Sequence, residues 1–118
     1  MPKVIDVRFG NHVEVRSVEI DGSKHYILHQ SKLMKNATDV AIEQNDLPVG
    51  HCEDLHLHEN AWDEVTIING SCILVTASET PEIEMEAGDV VTIEARTLHA
   101  FRTNGTHARL QGIRISVE

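Results

Sequence analysis

Apolar residues fall at every second position through much of this chain, the period of a strand with one dry face and one wet face. Val4–Phe9 and Val13–Ile20 carry that alternation, and Gly10 with Asn11 interrupts it as a turn would. Asp21–Gly22 is a second turn signal, and His25–Leu28 and Asp39–Glu43 again carry β-type patterns. Gln30–Asn36 suits a helical turn or a loop equally, whereas Asn45–Gly50, with Asp46, Pro48 and Gly50, reads as a loop. Val65–Ile68 runs into Asn69–Gly70, a hairpin signal that predicts Ser71–Ala77 as the partner strand. Thr80–Pro81 turns the chain, and Glu82, Glu84 and Glu86 then alternate with Pro81, Ile83 and Met85. Ala87–Gly88–Asp89 turns it again into Val90–Ile93. Leu98–Arg102 and Ala108–Val117 complete the series, split by Thr103–Asn104–Gly105. The pattern predicts about nine or ten short strands with tight turns and no long helix, hence an all-β fold, an antiparallel barrel or sandwich.

Composition narrows this picture. A chain of 118 residues without an interdomain linker is one domain's worth, so residues 1–118 are read as a single domain. Aromatic residues make up only 3%, so the core must be built from Val, Ile and Leu. A net charge of -9 would repel a phosphate backbone, which argues against nucleic acid as a partner. No stretch is long and apolar enough to span a bilayer as a helix. The start, MPKVIDVRFG, lacks the apolar run of a signal peptide, so neither a membrane nor export is expected and a cytoplasmic location is the default. Cys52 and Cys72 form no CxxC pair and read as thiols in a reducing compartment.

The chemistry lies in the histidines. Of the 8, His12, His25, His29 and His107 read as ordinary solvated or hydrogen-bonded side chains. His56 and His58 are two apart, so in an extended strand both imidazoles face one side and reach one ion. Asp63 and Glu64 follow. If the interior is the face of Val65 and Ile67, Asp63 points inward and Glu64 outward, and a bulge would exchange them. Nitrogen and carboxylate donors suit zinc, iron, manganese or nickel. Cys52 and Asp54 alternate with His56 and share its face if the strand is unbroken.

These residues resemble the motifs of the cupin family. Gly50, five residues, His56, one residue, His58, four residues, Asp63, six residues and Gly70 match the spacing of the family's first motif, with Asp63 at its glutamate position. In the second motif Gly88 matches the glycine and His99 the histidine. Glu94 and Arg96 stand where the family has Pro and Gly, and Thr103 stands at its Asn. The motifs span residues 50–70 and 88–104. The resemblance implies a cupin-like antiparallel β-barrel, a double-stranded β-helix of jelly-roll type. It also implies a divalent metal (Fe, Mn, Ni or Zn) held by His56, His58, Asp63 and His99, with Glu64 the rival for Asp63 on residue type.

On that resemblance the chain is expected to be a metal-dependent enzyme of dioxygenase, isomerase or lyase type, acting on a small polar or aromatic molecule. The alternative is a non-catalytic cupin that binds a sugar or other small ligand. A homodimer is expected, as in other small single-domain cupins. His51 and Glu64, if the latter is not a ligand, are the candidate general bases. Phe101 shares the face of His99 and is expected to wall a cavity, with Arg102 outward. Trp62 reads as pocket lining or packing. Arg96 reads as a neutralising charge at the mouth or as a surface salt bridge.

Overall fold

A computed structural model describes residues 2–10, 12–17, 37–77 and 82–117. Eight strands are found among them: β1 (Lys3–Arg8), β2 (His12–Ser17), β3 (Ala37–Leu47), β4 (Ala61–Thr76), β5 (Ile83–Glu86), β6 (Val90–Ile93), β7 (His99–Arg102) and β8 (Ala108–Val117). The expected His25–Leu28 strand, the Gln30–Asn36 segment, the turns at Asp21–Gly22 and Thr80–Pro81, and His25 and His29 lie outside the described residues.

The strands run in the order β2-β1-β6-β4-β8-β3, with β5 and β7 pairing on the far half of β4. The sheet does not close on itself. All pairings are antiparallel except β1 with β6. The all-β expectation holds, and several strands fall where alternation puts them. Val90–Ile93 and Ala108–Val117 match to the residue. In β5 Met85 is buried between exposed Glu84 and Glu86.

The loop read at Asn45–Gly50 begins later, because β3 continues through Asn45 and Asp46 to Leu47, and one turn is not where the sequence predicts it. Asn69–Gly70 is no hairpin: β4 runs straight through it as a 16-residue strand. Gly70 has φ 76, and the register with β8 slips between Ile67 and Asn69. This is a bulge that bends β4, so that Asp63–Thr66 pair with β6 and Ser71–Thr76 pair with β5 and β7. The asparagine–glycine signal is real, but here it bends one strand rather than joining two. A side chain at Gly70 is also excluded by packing, because its Cβ would lie 1.9 Å from the His107 carbonyl oxygen.

The core lies inside this bent sheet. Ile5, Val7, Val65, Ile67, Leu74, Val91 and Ile93 pack with Met85 and Leu110, a β-branched and Leu core as the composition required. On β4 the face of Val65 and Ile67 is the inner one. Asp63 therefore points inward, and Glu64, one residue out of phase, is buried on the opposite side of the strand.

Candidate metal centre

The segment from Pro48 to Asn60 runs along the free edge of β7. It touches β7 through isolated bridges, Cys52 with Arg102 and His56 with His99. Between those bridges one side has four steps and the other three, so one extra residue is accommodated and the side-chain phase flips. This decides which residues face inward. His51 and Glu53 line the cavity on one side of the irregularity, and His56 and His58 on the other. Cys52, expected inward on unbroken alternation, is exposed instead.

His56, His58 and His99 converge, with one ring nitrogen of each lying within 4.8 Å of the others. Two of the rings are oriented by carbonyls two residues earlier. His56 Nδ1 is 2.9 Å from the Asp54 oxygen, and His99 Nδ1 is 2.8 Å from the Thr97 oxygen. A carbonyl only accepts, so each Nδ1 carries the proton and each Nε2 keeps its lone pair. That is the tautomer a metal ligand needs. Burial pushes the pKa of His99 below its ordinary 6.5, and the Thr97 hydrogen bond opposes this only in part. Burial also lowers His58, against the pull of Asp63. Neutral imidazoles are the ligating form.

Asp63 on β4 reaches one edge of this cluster, at His58, without belonging to the group of mutually close donors. Its Oδ2 is 3.0 Å from His58 Nε2, while its Oδ1 accepts a hydrogen bond of 3.0 Å from Arg114 Nε. Two donor atoms 3.0 Å apart fit neighbouring corners around an ion about 2.1 Å from each. The three imidazoles therefore fit a divalent metal by donor type and spacing, and His56 and His99 by tautomer as well, while Asp63 stands beside His58 alone.

A cavity of about 410 Å³ opens beside these groups. Val65, Leu110 and Phe101 supply its apolar wall, and the Phe101 ring lies 6.4 Å from that of His99. Glu53 is held in place twice. Its Oε1 accepts the Phe101 backbone N–H at 2.8 Å, and its Oε2 lies 3.1 Å from His51 Nε2. His51 is fixed in turn by Thr103, whose hydroxyl accepts the His51 N–H at 2.8 Å and donates to the Pro48 carbonyl. A short hydroxyl thus does the anchoring at the position where the family has Asn.

The structure brings His56, His58, His99, Asp63, His51 and Phe101 to one cavity. It does not bring Glu64 there, because adjacent strand residues face opposite ways. Glu64, read from the sequence as a candidate base and as the rival acidic ligand, is buried and is not among the residues lining this cavity. Trp62 shares its phase and is not among the cavity-lining residues. Among the described residues Arg96 neither lines the cavity nor forms a salt bridge: its guanidinium sits 5.3 Å over the Phe9 ring, and its backbone takes the left-handed φ of 63 that the family's glycine would adopt freely. Arg102 pairs with Glu82 at the surface, as expected of an outward side chain. Cys72 is buried in the core, where burial pushes its thiol up to about 12. Sequence reading missed Glu53, Glu43, Gly112 and Arg114. The available signal for the last two was the alternation Ala108, Leu110, Gly112, Arg114 along the last strand.

A family model described as Cupin domain matches residues 45–114. No curated protein matches in sequence. Among solved structures, a cupin protein from Bacteroides fragilis is 21% identical, with a TM-score of 0.60 over 67% of each chain. The polyketide cyclase RemF from Streptomyces resistomycificus is 21% identical, TM-score 0.60, over 64% of this chain and 54% of that one. A predicted oxalate decarboxylase from Thermotoga maritima is 21% identical, TM-score 0.58, over 80% of this chain and 75% of that one. The chain thus spans about half the length of the cyclase. At such identities the likeness is one of fold.

Proposed function

The chain belongs to the cupin family, and from that premise we propose that it is a metal-dependent enzyme acting on a small molecule held in the cavity beside His56, His58 and His99. The observation that carries this reading is the convergence of three imidazole nitrogens within 4.8 Å, two of them on rings fixed to present Nε2. Asp63 would complete the set through Oδ2. An ion held by these residues would supply Lewis acidity toward a carbonyl or similar oxygen of the substrate.

The rest of the reaction falls to the chain's own side chains. His51 and Glu53 are the proton-transfer pair: the carboxylate, anchored by the Phe101 N–H, orients the imidazole and balances its charge when it takes a proton. Val65, Leu110 and Phe101 give the cavity an apolar wall that would limit water beside the substrate. An isomerase or lyase type of reaction, which needs a positioned base, suits this pair. A homodimer belongs to the same proposal: among the described residues β3 is an edge strand, and its Val40 and Ile42 side chains are exposed.

The test is metal content and affinity. Protein produced without an affinity tag should bind one divalent ion per chain, measured by elemental analysis and competitive titration. His99→Ala should weaken binding at least a hundredfold while circular dichroism stays that of a β protein. Failure of the wild type to take up zinc, manganese, iron or nickel would sink the reading.

A further inference from the structure

Resting on the metal reading above, we propose that the cavity wall formed by Arg114 and Gly112 is the seat of a small organic carboxylate, bound by the Arg114 guanidinium beside the ion.

Three observations lead there. First, Arg114 is the one cationic side chain among the described residues lining the cavity. It stands in register between Asp63 on β4 and Ala41 on β3, facing inward. Second, only part of its donor fork is spent. Nε binds Asp63, and Nη2 lies 3.2 Å from the His58 Nε2. A metal ligand cannot also accept from arginine, so loading the ion releases Nη2 toward the cavity. A guanidinium has five N–H donors, and a carboxylate is the group its planar fork matches. The Asp63 bond fixes the fork's orientation beforehand, so little side-chain freedom remains to be lost on binding.

Third, there is room beside it. Gly112 is two residues along the same face, between Val65 and Glu43 in the register. A Cβ built there meets nothing within 4 Å, so the hollow is open and the glycine backbone is not strained. A carboxylate on Arg114 would lay its carbon chain over Gly112 against Val65 and Leu110. Glu43, at the rim, would repel a second negative charge, so the seat suits a monocarboxylate better than a dianion.

The experiment is calorimetric titration of the zinc-loaded chain with propionate, propionamide and isobutyrate. Propionate should bind at least tenfold more tightly than the neutral amide. R114Q should lose that preference, and R114K should keep part of it, while zinc stoichiometry stays at the wild-type value in both. G112V should reject isobutyrate and still accept formate. Equal binding of propionate and propionamide, or wild-type propionate affinity in R114Q, would overturn the proposal. Should R114Q fail to fold, R114K and G112V decide it: wild-type discrimination in both overturns it. Zinc stoichiometry is read first and separately. If zinc does not bind, the metal reading fails, and the same titrations on the zinc-free chain judge the Arg114 seat by the same pattern.

Discussion

Glu53 shows how a single side chain acquires a role from its hydrogen bonds. Its carboxylate accepts from a β7 amide at the point where the ladder to the neighbouring segment is interrupted, and its other oxygen faces His51. Glutamine in its place can still accept from the Phe101 N–H and donate to His51, so the geometry survives while the charge is lost. Glu53→Gln should therefore fold and bind metal as the wild type does. Its turnover should fall by roughly a hundredfold, the usual share of a positioned acid–base group. Equal turnover in the variant would remove Glu53 from the proton-transfer pair. Arg96 shows the reverse case, a residue whose side chain has left the site. Its left-handed backbone keeps the turn's shape, and its guanidinium stacks on Phe9 instead of facing a substrate.

At the level of the element, β4 is what makes one cavity from two halves of the sheet. Its first half carries Asp63 and Val65 beside β8, and its second half pairs with β7, the strand of His99. The bend between them depends on Gly70. Alanine there would bring its methyl onto the His107 carbonyl and would also have to hold φ 76. Gly70→Ala should destabilise the protein by about 3 kcal/mol or more, the range of strained-backbone and overpacking substitutions. Urea unfolding monitored by circular dichroism measures it, and a cost below about 1 kcal/mol would show that the bulge relaxes without the glycine.

For the whole molecule, the histidine cluster couples stability to pH and to metal. His58 and His99 have pKa values below the 6.5 of an exposed imidazole, burial being the first cause in each. Between their folded values and 6.5 the unfolded chain binds more protons than the folded one, so stability falls as pH drops through that window and levels off below it. Above 6.5 both states are neutral and these two groups contribute no slope. The metal-free melting temperature should accordingly decline from pH 7 toward pH 5. Zinc at a hundredfold excess over its Kd should add about 2.7 kcal/mol at neutral pH, and the gain should vanish as the imidazoles protonate. Thermal melts across pH with and without zinc test both parts. A zinc gain that persists unchanged at pH 5 would mean the ion sits elsewhere.

By itself the sequence determined the all-β class, the spacing of the two motifs, the opposite phases of Asp63 and Glu64 and the shared face of His56 and His58. All of these follow from a period of two read along single segments, which is a local property. Tertiary structure decided what no single segment contains. It turned Asn69–Gly70 into a bend rather than a hairpin, because the His107 carbonyl packs against the glycine. It flipped the phase between Cys52 and His56 through one extra residue opposite β7, excluding Cys52 and admitting Glu53. It also placed Arg114 beside Asp63 across 51 residues of chain, a contact set by strand register, which depends on the whole sheet.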